Sequence, residues 1–272
     1  MAGCLFVNPR SGPPGQDAGE LVQRARARGV HVHELAEDDD LGRLAREADA
    51  DALGMAGGDG SLAVVAHAAI ERDLPFVCIP FGTRNHFARD IGLDRADPIA
   101  ALEAFGGTER RIDVGRVGER AFLNNVSLGV YARLVHHRER HRRRRAVLAR
   151  AGALALSIQH RHDMAFTIDG RPVVTRAILV ANNEYELDLF SIGERRTLDA
   201  GLLHAYVTHG ILPGTWEDIP SGSLTIDTAT HRVRAAIDGE PAVLETPIQF
   251  SIEPGALRVL VPERAAADQG AS

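Results

Sequence analysis

The chain has 272 residues, 44% hydrophobic and 25% charged, enough for one large or two modest soluble domains. The formal net charge is −6 and aromatic residues make up 5%, which argues against a polycationic nucleic-acid binder. All 31 basic residues are Arg, so a side-chain contact to phosphate falls to Arg or His.

Taken in chain order, "CLFV" reads as a strand and "NPRSGPPG" as a loop. "DAGELVQRARAR" has helical spacing, "VHVHEL" alternates like a strand, and Asp38 to Asp40 can cap the helix "LGRLAREA". "DALGMA" is the next strand, "GGDG" a loop and "SLAVVAHAAIER" a helix. "PFVCIP" is a further strand, followed by the loop "FGTRN" and the short helical run "HFARDIG". This alternation predicts an open parallel α/β sheet over 1–113. Ligands bind such sheets at the carboxyl ends of the strands, so "NPRSG", "GGDGS" and "FGTRN" are expected to face one crevice.

Beyond residue 113 the rhythm changes. "RIDVGRVGERAFLNNVSLG" reads as two strands around Gly118-Glu119. "AFTIDGRPVVTRAILVAN" reads as a hairpin with Asp169-Gly170 at the turn. "LLHAYVTHG", "SLTIDT", "HRVRAAIDGEPAVLE", "IQFSIE" and "LRVLVP" are further strands. Residues 114–262 are therefore expected to form an antiparallel β-sandwich, with a last strand free to return to the first domain. A long helix is expected from Tyr131 to Gln159, and 263–272 is expected to be a disordered tail.

Cys4 and Cys78 lie in apolar strand-like runs and are expected to be buried free thiols. The start "MAGCLFVNPR" shows no basic leader before a long apolar core, and "AVLARAGALALSI" is short and broken by Arg150. A soluble, cytoplasmic protein is expected.

Four loops carry residue types suited to chemistry. In "NPRSG", Asn8, Pro9, Arg10, Ser11 and Gly12 follow a strand end, and Arg10 and Ser11 can reach a phosphate; the same residues are also good turn formers. In "GGDGS", Gly57, Gly58 and Gly60 let backbone approach an anion at a helix N-terminus, with Ser61 beside them. Asp59 would repel a polyphosphate unless Mg²⁺ lay between; a plain helix cap explains it equally well. In "FGTRN", Thr83 and Asn85 follow Gly82 and offer hydroxyl and amide groups, and His86 opens the next helix. In "AIDGEP", Asp238-Gly239 is a turn signal, and Glu240 has no evident structural duty, which suits a general base. The basic run 133–150, with apolar residues after it, suits either an anionic membrane surface or a solvated arginine-rich face.

The ordered set "NPRSG … GGDGS … FGTRNHFARDIG … DGEP" resembles the diacylglycerol kinase catalytic-domain family, which includes soluble bacterial lipid kinases and sphingosine kinases and is distantly related to NAD kinases. "FLNNVSLG", "VANNEY" and "RRTLDAGLL" look like that family's second-domain motifs. The resemblance implies an α/β nucleotide-binding domain followed by a β-sandwich, with ATP bound between them. It implies ATP contacts from Asn8 to Gly12, Gly58 to Ser61 and Thr83, with Asp59 in the nucleotide–Mg²⁺ site. It also implies that Asp113, in "RIDVG", is an acid near that site and that Glu240 is the base on the lipid hydroxyl. Three positions depart from the family pattern. "SLAVV" follows the glycines where the family carries Thr and an Asn-Glu pair. His86 stands where the family has Asp. "LDAG" places Ala200, with Asp199 one position earlier, where the family's structural Mg²⁺ site has Asp.

The leading expectation is an ATP- and Mg²⁺-dependent kinase acting on a hydroxyl of diacylglycerol or a related lipid, docking transiently on the inner membrane face through 133–150. Another hydroxyl acceptor, such as a sphingoid base or a nucleotide, and a non-catalytic nucleotide- or lipid-binding protein of the same fold stay open. So does self-association.

Overall fold

A computed structural model describes residues 2–12, 17–82, 85–129, 164–188, 191–195, 197–208 and 216–263. The chain divides into two compact units, Met1–Asp113 with Pro254–Ser272, and Val114–Glu253. The stretch from Pro254 onward thus goes with the first unit. The expected helix at 131–159 and the tail beyond residue 263 lie outside the described residues.

The first unit alternates β1 (Gly3–Val7), α1 (Ala18–Ala27), β2 (His31–Glu34), α2 (Leu41–Glu47), β3 (Ala52–Gly57), α3 (Asp59–Glu71), β4 (Phe76–Pro80), α4 (His86–Asp90) and α5 (Pro98–Ala101). Short polar side chains start several of these helices. Asp17 accepts from the Gly19 N–H, Asp40 from Arg43 and Asp97 from Ala100, each satisfying an amide that has no partner inside its helix. β1 pairs in parallel with β2 and β3, and β3 with β4, in the order β2-β1-β3-β4. Every residue of β1, β3 and β4 is buried, as in a parallel sheet covered on both faces. Chain order reverses between β1 and β3, and such a reversal opens a crevice at the carboxyl ends of the strands.

The remaining strands are β5 (Thr108–Val117), β6 (Arg120–Phe122), β7 (Asn125–Gly129), β8 (Met164–Ile168), β9 (Arg171–Thr175), β10 (Ala177–Asn182), β11 (Tyr185–Asp188), β12 (Ser191–Arg195), β13 (Leu203–Thr208), β14 (Trp216–Ser221), β15 (Ser223–Thr228), β16 (Arg232–Ile237), β17 (Glu240–Glu245) and β18 (Ile248–Val261). In the second unit a six-stranded antiparallel sheet runs β14-β13-β10-β7-β16-β17. A second layer is built from β9, β8, β15 and the start of β18, again antiparallel. Alternate residues from both layers, among them Val126, Phe166, Ile178, Leu224, Val233 and Phe250, pack into one apolar core. This is the β-sandwich expected from the sequence, with period-2 side chains facing inward from each sheet.

Several strands differ from the sequence reading. The run after Gly118 is two strands rather than one. β6 pairs with β5, whereas β7 pairs with β10 and β16, and the chain turns at Leu123-Asn124. The expected hairpin over 165–182 likewise ends at β9, and β10 crosses to the six-stranded sheet. "IQFSIE" and "LRVLVP" form the single strand β18. Gly255 inside it takes a φ of +61° and donates its N–H to Asp113 Oδ1 (2.9 Å), so the strand bends without ending. β11, β12 and β14 ("YELD", "SIGER" and "WEDIPS") are strands that the sequence reading does not contain.

Candidate active site

In the first unit, β1, β3 and β4 end side by side, and the three loops that follow are packed on one another. The Asn8 N–H donates to Ala56 O (2.9 Å), which ties the first loop to β3. Asn8 Oδ1 then accepts from the Arg10 N–H (3.1 Å) and Asn8 O from the Ser11 N–H (3.1 Å), so "NPRS" is a closed turn. Arg10 reaches away from that turn, donating to Ala36 O (3.4 Å) and standing 3.8 Å from the Glu37 carboxylate. A Cβ on Gly12 would come within 2.7 Å of the Phe81 ring, so this glycine lets the first loop lie on the third.

The second and third loops are in closer contact. A Cβ on Gly82 would fall 2.7 Å from the Gly58 Cα and 3.0 Å from the Gly57 carbonyl oxygen. Asn85 takes a left-handed backbone with φ 50° and closes this loop. It is buried, donates from Nδ2 to Gly82 O (2.9 Å) and accepts at Oδ1 from the Gly82 N–H (2.8 Å). The amide of Asn85 is thereby committed to its own loop. Thr83 lies outside the described residues.

The glycine loop leads straight into the 13-residue α3. Its cap position is Gly58, which brings no side chain to the helix, and a Cβ there would meet nothing within 4 Å. The helix therefore starts with uncapped amides and the positive end of its dipole beside open space. Asp59 is the first helical residue and not the cap, which removes the capping explanation of this acid. Its Oδ1 accepts from the Phe87 N–H (3.4 Å) at the start of α4, so it links the second and third loops. Gly60 and Ser61 follow it in the first turn, half-buried. Beneath lies Cys78, fully buried on β4, whose thiol is pushed well above 9.0 by burial first and by the Asp59 charge second. Cys4, also buried and free, is shifted upward by burial.

Asp113 is 1% exposed on β5 and its Oδ1 holds the Gly255 N–H. A carboxylate this deep is kept only by such bonds.

In the second unit, Asp238 and Gly239 take φ of 47° and 85° and turn β16 into β17, with Ile237 opposite Glu240. Glu240 is exposed at the first position of β17. Asp238 is more than a turn former, which sequence reasoning missed. Its carboxylate accepts from three successive amides, Leu123 (2.8 Å), Asn124 (2.7 Å) and Asn125 (3.0 Å). The same corner is held from its other side by buried Arg195, whose guanidinium donates to Leu123 O (2.6 Å) and to Asn124 Oδ1 (3.4 Å). Asn182 Nδ2 also donates to Leu123 O (3.1 Å). "FLNNVSLG" and "VANNEY" are thus parts of one polar network. Asp199 is exposed, while Asn183 Oδ1 accepts from the neighbouring Ala200 N–H (3.1 Å).

Among the described residues no group of three or more His, Cys, Asp or Glu side chains is placed to hold a metal ion, and no helix is long and apolar enough to cross a membrane. The donor set at the first-unit loops fits a polyphosphate, through open amides at Gly58 and the turn after it. It also fits a Mg²⁺ brought in on those phosphates, because Mg²⁺ often takes only one or two protein carboxylates and draws its other ligands from phosphate and water.

Residues 2–117 match the family described as diacylglycerol kinase catalytic domain. A probable lipid kinase YegS-like of Pseudomonas fluorescens (strain Pf-5) is 29% identical, over 91% of this chain and 91% of its own length. A diacylglycerol kinase of Mycobacterium tuberculosis is 29% identical over 73% of this chain and 66% of its own. Among solved structures, a diacylglycerol kinase and a putative diacylglycerol kinase, both from Bacillus anthracis, superpose with TM-scores of 0.70 and 0.73. Each is 20% identical, and they cover 97% and 96% of this chain and 98% and 97% of theirs. The fold is the one these structures share.

Proposed function

We propose, from the match of residues 2–117 to the diacylglycerol kinase catalytic domain, that the chain is an ATP- and Mg²⁺-dependent lipid kinase that phosphorylates a hydroxyl of diacylglycerol or a closely related lipid. One observation carries the nucleotide half of this reading. The N-terminus of α3 is uncapped at Gly58, open to solvent on that side, and flanked by the loops after β1 and β4. Helix amides and dipole favour a phosphate chain there.

In this reading the backbone of Gly58 to Ser61 binds and orients the phosphates. Asp59, fixed by the Phe87 N–H, presents one carboxylate to the cation that accompanies them. When bound, Mg²⁺ neutralises charge on the phosphates and on the leaving group. Glu240 accepts the proton of the lipid hydroxyl. The hydroxyl oxygen forms a bond to the γ-phosphorus, the bond from that phosphorus to the β,γ-bridging oxygen breaks, and ADP leaves with the electron pair. Catalysis in this scheme is positioning and charge stabilisation, as in phosphoryl transfer generally. The acceptor resides in a membrane, and the basic run 133–150 would bring the enzyme to an anionic surface. Replacing Arg142 to Arg145 is expected to lower co-sedimentation with anionic liposomes.

The test is product identification by mass spectrometry after incubation with ATP, Mg²⁺ and a lipid extract, followed by a panel of purified acceptors. Asp59→Asn is expected to lower turnover by about 10²-fold or more while leaving the thermal midpoint unchanged. Near-normal turnover of that variant would remove Asp59 from the mechanism. His86 stands where the family pattern has an acid, which favours a second reading, a binder without chemistry. Retained ATP binding with no Mg²⁺-dependent ATP consumption in any lipid would establish it.

A further inference from the structure

The turn that carries Glu240 is not held by local forces alone. The Asp238 carboxylate gathers the amides of Leu123, Asn124 and Asn125, and the Asp238 N–H donates back to Asn125 O (2.9 Å). The residues joined are 113 to 115 apart in sequence. A comparison lies within the same unit. Asp169, at the other Asp-Gly turn, holds one amide, that of Thr225 (2.8 Å). Charge-assisted bonds to three successive amides fix both position and orientation, where a single bond leaves rotation free.

The receiving corner is itself fixed. Arg195 and Asn182 hold the Leu123 carbonyl, and the Arg195 guanidinium lies 5.8 Å from the Tyr185 ring centroid. The main-chain donors of the corner go to Asp238, and its first carbonyl goes to Arg195. Glu240 stands two residues from Asp238, across a turn whose register is set by the Ile237–Glu240 pair. Displacing Asp238 therefore displaces Glu240.

We propose that Asp238 is a positioning residue for Glu240: by clamping the β16–β17 turn to the Leu123–Asn125 corner, it fixes the carboxylate that takes the acceptor proton. The proposal rests on the kinase reading above, in which Glu240 is the base. Misplacing a reacting group by about 1 Å costs up to about 10²-fold in rate.

The experiment uses the full chain, with ATP, Mg²⁺ and diacylglycerol in mixed micelles as the probe. Asp238→Asn keeps the left-handed turn, because Asn tolerates positive φ, and Asp238→Gly serves if the Asn variant does not fold. Asp169→Asn is the control at the other turn and is expected to keep wild-type turnover. In Asp238→Asn, amide exchange at Leu123, Asn124 and Asn125 is expected to rise about tenfold. The kcat is expected to fall about 10- to 100-fold with KM for ATP unchanged. Combined with Glu240→Gln, the loss should equal that of Glu240→Gln alone, since both act through one group. Wild-type kcat in Asp238→Asn, or losses that multiply in the double variant, overturns the positioning role. Unchanged exchange at the three amides overturns the clamp, even in an active enzyme. A wild-type protein inactive toward every lipid acceptor overturns the kinase reading and the positioning role with it, and is distinguished by inactivity already present before any substitution.

Discussion

Cys78 shows how the site's charge reaches a side chain that takes no part in chemistry. It lies on β4 with no exposure, and its neighbours across β3 place Met55 opposite it. Burial disfavours the thiolate, and the Asp59 carboxylate nearby disfavours it further, so the thiol is held well above 9.0. Thiolate is the nucleophile, so Cys78 is expected to resist an aromatic disulfide reagent at pH 8 until the protein is unfolded. Rapid modification of native Cys78, located by peptide mass spectrometry, would contradict the packing described. The residue scale is also where sequence reading fell short. The glycines of "GGDGS" and the helix after them were legible because Gly and apolar spacing are local signals. Asp238 read as a turn former, and so it is. Its three acceptor bonds reach residues more than a hundred positions away, and a local pattern carries no trace of them.

At the scale of elements, the two glycines of the third and second loops make opposite predictions. Gly82→Ala would place a Cβ 2.7 Å from the Gly58 Cα and 2.8 Å from Asn85 Oδ1, both fixed. The loops must separate, at a cost of about 1–3 kcal/mol in denaturant unfolding. Gly58→Ala meets open space, and its φ of −79° suits Ala, so stability is expected to change by less than about 0.5 kcal/mol. In the kinase proposed above, the added methyl would lie beside the phosphates, and KM for ATP is expected to rise. Equal destabilisation by both variants would refute the contact between these loops. The strands of the first unit were legible because β1, β3 and β4 are short apolar runs set off by turn-forming residues and β2 alternates. Those of the second unit were only partly so. β14, "WEDIPS", is an edge strand with two acids and Pro220, and a strand paired on one side tolerates both. β18 reads as two strands because Pro254-Gly255 resembles a break; the Asp113 bond to the Gly255 N–H and the pairing with β5 carry the strand through it.

For the whole chain, the first unit is not complete until its last strand arrives. Val259 and Leu260 of β18 pair in parallel with Phe76 and Val77 of β4, more than 180 positions earlier. Arg258 secures that arrival. It donates from Nε and Nη2 to the two oxygens of Glu109 (3.0 and 2.8 Å) and from Nη1 to the Asp73 carbonyl oxygen (2.7 Å), which precedes β4. The paired bond geometry is the strong one for guanidinium and carboxylate. The Arg258 hydrogen bond, as the largest cause, holds the Glu109 carboxyl below its ordinary value of 4.5. A carboxyl depressed on folding adds stability above its unfolded value, and that stability is lost as pH falls through the folded one. The side chain of Glu109 is 34% exposed, so solvent screening limits the effect to about 1 kcal/mol. Glu109→Gln should therefore lower the thermal midpoint by about 2–4 °C at pH 7. The gap between variant and wild type should close as pH drops below 4.5. Arg258→Met removes the partner and the pH dependence together. A gap that persists unchanged in acid would mean that packing along β18, and not this ion pair, fastens the returning strand to the first unit.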